Sequence, residues 1–184
     1  IVEIAAHLGV AVFGLGGGKF MIPLLTFFLT SSLLSKWDQA RKASASARAA
    51  KGATRDAWQV LANGGVAVVL VLVYAFFVRR WPVYQTRTLL MLYLAALAAV
   101  NADTWATEIG GLSRQAPRLL NNWRPVAPGT SGAITLLGVF AALLGAVVIP
   151  LSVLSVWHLD MVEFIAVAWG GFLGSLVDSV LGAG

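Results

Sequence analysis

Carboxylates and hydroxyls occur together at the end of a long apolar stretch of this sequence. The stretch runs from Leu89 to Val100, and Asp103, Thr104, Thr107 and Glu108 follow it directly. If the stretch is a membrane helix, these groups lie at or just inside the edge of the bilayer. Ionisable groups are costly there, and by default they indicate a functional site. This motif is therefore the first candidate site in the chain.

A second carboxylate, Asp178, lies near the end of another apolar stretch. Mg²⁺ takes oxygen ligands and is usually bound by one or two carboxylates together with substrate phosphates. The sequence therefore predicts Asp103 and Asp178 as the first candidates for metal ligands and catalytic residues, with Glu108 as the third. On an ideal helix Asp103 and Glu108 are about 140° apart, so they would share one metal only at a distorted helix end. The alternative is that the two aspartates form structural ion pairs with Arg114 or Arg118.

The composition indicates the environment in which these motifs lie. The 184 residues are 59% hydrophobic and only 11% charged, whereas a soluble domain carries about 25% charged residues. This predicts an all-α polytopic integral membrane bundle of about six transmembrane helices, forming one domain over residues 1–184. The absence of Cys excludes disulfides and thiolate metal sites. Because the chain starts without Met and stops straight after a polar helix end, both ends are predicted to be incomplete.

The six predicted spans alternate with polar or glycine-rich segments. They cover residues 1–15, 20–35, 57–78, 88–108, 133–157 and 161–181. Alternating spans place the basic loops near 36–56 and 112–129 on one side of the membrane. These loops hold nine basic residues and the opposite side holds four, so the positive-inside rule makes the first side cytoplasmic. The net charge of +5 is thus explained by topology and anionic lipid, and nucleic acid is not an expected partner.

Further polar motifs are predicted to meet the same side. Asp56, Gln59 and Asn63 are spaced i, i+3 and i+7 and lie on one face at the start of the third span. Two interpretations explain this stripe equally well. It either supports a site, with Asn63 reaching substrate phosphate, or it is polar glue between helices.

A glycine-rich turn, Gly129-Thr130-Ser131-Gly132, precedes the fifth predicted span. Backbone N–H groups at a helix N-terminus, with hydroxyls nearby, form an anion site, although they equally form a plain N-cap. The turn follows the basic residues of the second loop. Phosphoryl transfer needs mainly positioning and charge neutralisation through Mg²⁺ and Arg or Lys. The predicted phosphate-binding set is Asn63, Thr104, Thr107, Arg114, Arg118, Gly129, Thr130, Ser131, Gly132 and Ser175.

Four motifs, RDAWQVLANG (55–64), ADTWATEIG (102–110), PGTSG (128–132) and GSLVDSVLGA (174–183), resemble in order and sequence the transmembrane protein 19-like family. That family includes the phytyl-phosphate kinases of the vitamin E pathway. The resemblance implies a membrane kinase that converts a prenyl monophosphate (phytyl, geranylgeranyl or farnesyl) into the diphosphate, with CTP or another nucleoside triphosphate and Mg²⁺. The family motifs fall on Asp56, Asn63, Asp103, Thr104, Glu108, 128–132, Ser175 and Asp178.

Other functions fit the same residues. A close variant is a polyprenol kinase or a cytidylyltransferase-like enzyme. A rival from another class is a small ion-coupled transporter or lipid-binding protein that uses buried carboxylates as ion sites. The expected partners of the kinase are an isoprenoid lipid phosphate, a nucleotide and membrane lipid, in a bacterial plasma membrane or a thylakoid or chloroplast membrane. Its active site would face the cytoplasm or stroma. The sequence leaves open the prenyl chain length, the nucleotide and whether the protein forms an oligomer.

Overall fold

The apolar segments of this chain form helices, since a helix satisfies its backbone polar groups within one segment and needs no water. A computed structural model describes residues 2–37, 57–77 and 83–183. Its helices are α1 (Val2–Gly16), α2 (Gly18–Lys36), α3 (Ala57–Phe77), α4 (Val83–Gly110), α5 (Leu136–Val153) and α6 (Met161–Leu181).

Four of these helices are long and apolar enough to cross a membrane by length and composition. They are α2, the Thr86–Gly110 part of α4, α5 and α6. Helix α1 has 15 residues, and α3 contributes the shorter apolar stretch Gly65–Phe77. The prediction of an all-α polytopic bundle is therefore confirmed.

Helix α4 lies at the centre of the bundle and contacts α2, α3, α5 and α6. Its residues Tyr93, Leu94, Leu97 and Ala98 are completely buried. The Tyr93 hydroxyl donates a 2.7 Å hydrogen bond to the Phe20 carbonyl of α2. Because Tyr93 is buried, this bond satisfies a polar group that would otherwise be costly inside the bundle.

The contacts along α4 give the direction of its neighbours. Phe20 of α2 contacts Tyr93 near the start of α4, and Ser35 contacts Glu108 near its end, so α2 and α4 are parallel. Helix α6 is also parallel to α4, and α5 is antiparallel. The close pairs that show this are Ala95–Gly170 and Ala99–Gly174 for α6, and Gly110–Gly138 and Ala102–Gly145 for α5. We call the end where α2, α4 and α6 finish and α5 begins the polar end of the bundle.

Small residues let these helices approach closely. A Cβ built on Gly145 of α5 would lie 2.9 Å from Trp105 Cγ, and one built on Gly171 of α6 would lie 2.5 Å from Ala98 Cβ. Neither side chain fits without movement of a neighbour. Small residues at helix interfaces are the usual means of close packing in membranes, where water does not drive helices together.

An ion pair holds the opposite end of the bundle. Arg87 of α4 donates through Nε to Glu163 Oε1 at 2.6 Å and through Nη1 to the Trp157 carbonyl at 3.0 Å. Glu163 also accepts the backbone N–H of Asp160, whose carboxylate caps the first turn of α6. This reciprocal capping box fixes the entry of the chain into α6.

The segment between α4 and α5 differs from the predicted loop and span. Strand β1 (Arg118–Leu119) pairs antiparallel with β2 (Ala133–Ile134). Helix α5 therefore begins at Leu136 and not at residue 133, and it ends at Val153 and not at 157. The reason for the late start is local. Thr135 has extended backbone, and its hydroxyl accepts the N–H of Gly138 as the N-cap.

Candidate functional site

The contacts of α4 with α6 follow a register whose next step contains two predicted carboxylates. A Cβ built on Gly170 would lie 3.7 Å from Ala95 Cβ, and one built on Gly174 would lie 3.0 Å from Ala99 Cβ. These are successive i, i+4 steps on two parallel helices. The next step along both ridges is Asp103 on α4 and Asp178 on α6. Asp103 is half-buried and Asp178 is exposed, so the pair lies where the interface opens at the polar end.

Glu108 belongs to a different face of α4. It shares that face with Asn101 and Thr104, at i, i+3 and i+7 spacing. The Ser35 hydroxyl of α2 donates a 2.6 Å hydrogen bond to Glu108 Oε1. Glu108 thus faces α2, whereas Asp103 lies on the ridge that packs against α6.

Glu108 was predicted as the third candidate ligand beside Asp103 and Asp178, and this assignment stays a prediction. Within the described ranges, no three side chains of His, Cys, Asp and Glu form a group that could hold an ion. The physical reason is the roughly 140° that separates Asp103 from Glu108 on a regular helix. The arrangement instead allows a two-carboxylate site at Asp103 and Asp178, to which substrate phosphates and water add the remaining ligands, as is usual for Mg²⁺.

The helix directions favour a cation at this end. The last turns of α2, α4 and α6 all meet there, and the C-terminal end of a helix carries partial negative charge. Carboxylates on two of these helices, α4 and α6, add to that potential. The partial negative charge of three helix ends and the carboxylates of α4 and α6 therefore lie on the same side of the bundle.

The turn at 129–132 contacts the end of α6 and does not begin a helix. The prediction that it forms a helix N-terminus is wrong, since the short strand β2 and the Thr135 cap intervene. Gly132 has φ +72°, and a Cβ there would collide with the Ser179 carbonyl and the Ala183 nitrogen. Only glycine fits this contact. The turn therefore anchors the loop beside the helix that carries Asp178.

Side chains of the same loop strengthen this anchor. Asn121 Nδ2 donates to the Ala183 carbonyl at 3.3 Å, and Ser131 lies against Gly182. The Thr130 hydroxyl donates to the Ala127 carbonyl at 2.7 Å. Arg118 donates to the Trp123 carbonyl at 2.8 Å but stays exposed. Loop and helix end thus form one surface.

The other predicted phosphate ligands differ in exposure. Thr107 and Arg114 are exposed at the polar end, whereas Thr104 is 6% exposed. Ser175 is buried, and its hydroxyl donates to the Phe172 carbonyl of its own helix at 3.1 Å. The hydroxyl proton of Ser175 is thus already engaged, and the residue packs between helices.

Three predicted residues cannot be placed at the site by the structure. Asp56 lies outside the described residues, and so does most of the basic loop near 36–56. Gln59 and Asn63 belong to α3, but their side chains are outside the described part. The polar stripe that they were predicted to form stays a prediction.

A buried polar contact between α2, α4 and α5 was not predicted. Asn101 is completely buried, and its Nδ2 donates to the Gly145 carbonyl at 2.7 Å. Thr30 Oγ1 lies 3.1 Å from Asn101 Oδ1. Ser31, one residue further, is 1% exposed, and its hydroxyl has no hydrogen-bond partner in the part of the chain that the structure describes. The sequence signal was the cluster of hydroxyl residues at 30–35, which interrupts an otherwise apolar span.

The fold defines a polytopic helical membrane protein whose polar end carries Asp103, Glu108 and Asp178 beside the arginine-bearing loop between α4 and α5. The family model described as integral membrane protein DUF92 matches residues 2–184. The chain belongs to this family of integral membrane proteins.

Relatives show the same membrane character. The chain is 33% identical to Protein PGR of Arabidopsis thaliana over 98% of this chain and 69% of that protein. It is 34% identical to an uncharacterised membrane protein of Methanocaldococcus jannaschii, over 91% of this chain and 65% of the relative. An uncharacterised membrane protein of Synechocystis is 23% identical over 96% of this chain and 67% of the relative. No solved structure matches the chain significantly.

Proposed function

We propose that this chain is a membrane prenyl-phosphate kinase. It transfers the γ-phosphoryl group of CTP or another nucleoside triphosphate to phytyl, geranylgeranyl or farnesyl monophosphate. The observation that carries the proposal is the register of α4 and α6, which extends from Ala95–Gly170 and Ala99–Gly174 to Asp103 and Asp178. Two carboxylates on facing ridges, at an end where helix C-termini meet, fit a divalent cation that carries a nucleotide.

The reaction requires little covalent help from the protein. A non-bridging oxygen of the prenyl monophosphate forms a bond to the γ-phosphorus. The bond between that phosphorus and the β–γ bridging oxygen breaks, and the bridging oxygen leaves with the nucleoside diphosphate. The acceptor oxygen is already ionised, so no general base has to remove a proton. Catalysis then depends on holding two anions together and neutralising their charge.

In this proposal different residues bind the cation, orient the acceptor and neutralise the phosphates. Asp103 and Asp178 would hold Mg²⁺ together with phosphate oxygens, and the bound ion would neutralise charge on the transferred group. Glu108, fixed by Ser35, orients the acceptor side of the site. Arg114 and Arg118 are exposed on the loop between α4 and α5 and provide positive charge to the phosphates.

A radiolabel assay tests the proposal. Detergent-purified protein receives γ-labelled CTP, ATP, GTP or UTP with each prenyl monophosphate, in Mg²⁺ or in EDTA. We expect label in the prenyl diphosphate, with loss in EDTA and in Asp103→Asn. Asp160→Asn is the matched control, because it makes the same change at the opposite end and Asn also caps helices.

No label with any pair of substrates, from folded and full-length protein, would contradict the kinase assignment. Ion-dependent flux in liposomes without nucleotide consumption would then favour the transporter. Label transferred to prenol but not to prenyl phosphate would favour the polyprenol kinase.

A further inference from the structure

An apolar groove lies between α1 and α2. Its volume is about 400 Å³, within the range of roughly 300–1,000 Å³ found for small-molecule sites. Its lining residues are Gly9, Val10, Phe13, Met21, Leu24, Leu25 and Phe28. Every one of these side chains is apolar, so the groove suits a hydrocarbon chain and offers nothing to a phosphate or a base.

The groove is in line with the candidate site. Met21, Phe28 and Ser35 are seven residues apart and therefore lie on one face of α2. At 1.5 Å per residue, Phe28 is about 10 Å and Met21 about 21 Å from the level of Ser35. The groove thus lies at the depth of the hydrocarbon core, which is about 30 Å thick, and Ser35 bonds to Glu108 at the polar end.

Charge at the end of α2 complements this arrangement. Lys36, the last residue of α2, is exposed. Lys36 follows Ser35 directly. The face of α2 that is apolar along the groove therefore ends at the Ser35 hydroxyl, and the Lys36 ammonium is next to it in sequence. An amphiphile with one anionic head and one long apolar tail matches this order of groups.

We infer that the groove between α1 and α2 binds the distal isoprene units of the prenyl phosphate, while the phosphate lies at the polar end near Lys36. This inference rests on the proposed function and names the tail subsite of the same active site. Since the groove starts about 10 Å from Ser35, the first isoprene units do not reach it. The groove therefore contributes to binding of long substrates and not of short ones.

Two glycines of α1 provide a matched test. Gly9 lines the groove and Gly14 does not, and a Cβ at either position meets no atom of the described residues within 4 Å. Gly9→Leu places a bulky apolar side chain at the groove, and Gly14→Leu adds the same side chain elsewhere on the helix. Leu25→Phe narrows the opposite wall and is the second variant.

We expect Gly9→Leu and Leu25→Phe to lower kcat/KM for geranylgeranyl and phytyl monophosphate tenfold or more, the scale at which apolar pockets discriminate. Activity on geranyl monophosphate should stay unchanged, and Gly14→Leu should match the wild type on every substrate. Equal effects on short and long substrates, or equal behaviour of the two glycine variants, would overturn the inference.

A binding experiment separates this inference from the kinase assignment. A geranylgeranyl monophosphate with a photoreactive group at its distal end is cross-linked in EDTA, without nucleotide, and the labelled peptides are mapped. We expect label on 9–13 and 21–28, lost in Gly9→Leu, even if no phosphoryl transfer were ever detected. Label elsewhere would overturn the inference. Groove label from a photoreactive phospholipid that prenyl phosphate does not displace would show ordinary acyl chains there and would also overturn it.

Discussion

Asp103 and Glu108 belong to one short motif, but they lie on different faces of α4 and have different neighbours. Glu108 is bonded to Ser35 of α2, and Asp103 continues the ridge that packs on α6. Their separation follows from the helix period alone. A five-residue spacing therefore divides the motif into a part on the α6 side of α4 and a part on the α2 side.

The first prediction concerns the aspartate pair. Asp103→Asn and Asp178→Asn should each lower kcat for prenyl-phosphate phosphorylation roughly 10²-fold, since each removes a charge that holds the cation. Steady-state kinetics over a range of Mg²⁺ concentrations measures this effect. Wild-type turnover in both variants would exclude the pair as metal ligands.

The second prediction concerns the buried amide of Asn101. Asn101→Ala should lower the free energy of unfolding by about 1–2 kcal/mol, because it removes bonds to α2 and α5. A double-mutant cycle with Thr30→Val should give a coupling of about 0.6 kcal/mol, typical of hydrogen bonds within membrane bundles. Reversible unfolding in mixed micelles measures both values, and strictly additive effects would show that Thr30 and Asn101 do not interact.

At the scale of elements, α4 is positioned by close contacts to parallel and antiparallel neighbours. Gly171 and Gly174 bring α6 against Ala98 and Ala99, and the proposed pairing of Asp103 with Asp178 depends on this approach. The site is thus sensitive to residues far from it along the helix, because a rigid helix transmits a displacement over its length.

Adjacent glycines of α6 give the third prediction. A Cβ at Gly171 would meet Ala98 Cβ at 2.5 Å, whereas one at Gly170 would meet Ala95 Cβ at an ordinary 3.7 Å. Gly171→Ala should therefore separate α4 from α6 and lower both the melting temperature and kinase activity. Gly170→Ala should leave activity intact and stabilise the helix by about 0.5–1 kcal/mol. Similar melting curves for the two variants would contradict the packing.

The fourth prediction concerns the anchor of the loop on α6. Gly132→Ala adds a Cβ that collides with the end of α6, and Gly17→Ala is the control, since Gly17 has a similar φ of +77° but open space around it. Both variants carry the backbone strain, and only Gly132→Ala carries the collision. We expect faster hydrogen exchange in 118–134 and a higher KM for the nucleotide only in Gly132→Ala. Equal hydrogen exchange in both variants would show that the contact of Gly132 with α6 does not anchor the loop.

At the scale of the whole molecule, parallel helices bring three C-terminal ends to one side of the bundle. Asp103, Glu108 and Asp178 lie at this end, together with the arginines of the loop between α4 and α5. The other end is closed by the Arg87–Glu163 pair and the Asp160 cap. The two ends therefore differ, since the proposed site lies at the polar end and an ion pair with a helix cap lies at the other.

The fifth prediction tests the orientation of the bundle. The chain has no Cys, so single cysteines can be placed without a background. The two substitutions are Gln115→Cys, in the loop between α4 and α5, and His158→Cys, at the opposite end. Both residues are exposed. By the positive-inside rule, a membrane-impermeant maleimide should label Gln115→Cys from the cytoplasmic side and His158→Cys from the other side. The reverse labelling pattern would place the polar end, and with it the proposed active site, on the non-cytoplasmic side of the membrane.

Much of the fold could be predicted because hydrophobic length and helix period are local properties. The apolar runs indicated the helices. Helix boundaries were less accurate near polar segments. Thr135 and not the glycine turn begins α5, since a cap depends on the conformation that neighbouring strands impose.

The sequence by itself determined a helical membrane protein whose carboxylates occur at the ends of apolar spans, because composition and periodicity are fixed by the chain. Only the tertiary structure decided which of these groups meet. The register of α4 and α6, the Ser35–Glu108 bond and the contact of Gly132 with α6 are long-range contacts. They depend on how small residues at helix interfaces pack, and the spacing of residues along one helix does not specify the partner on another.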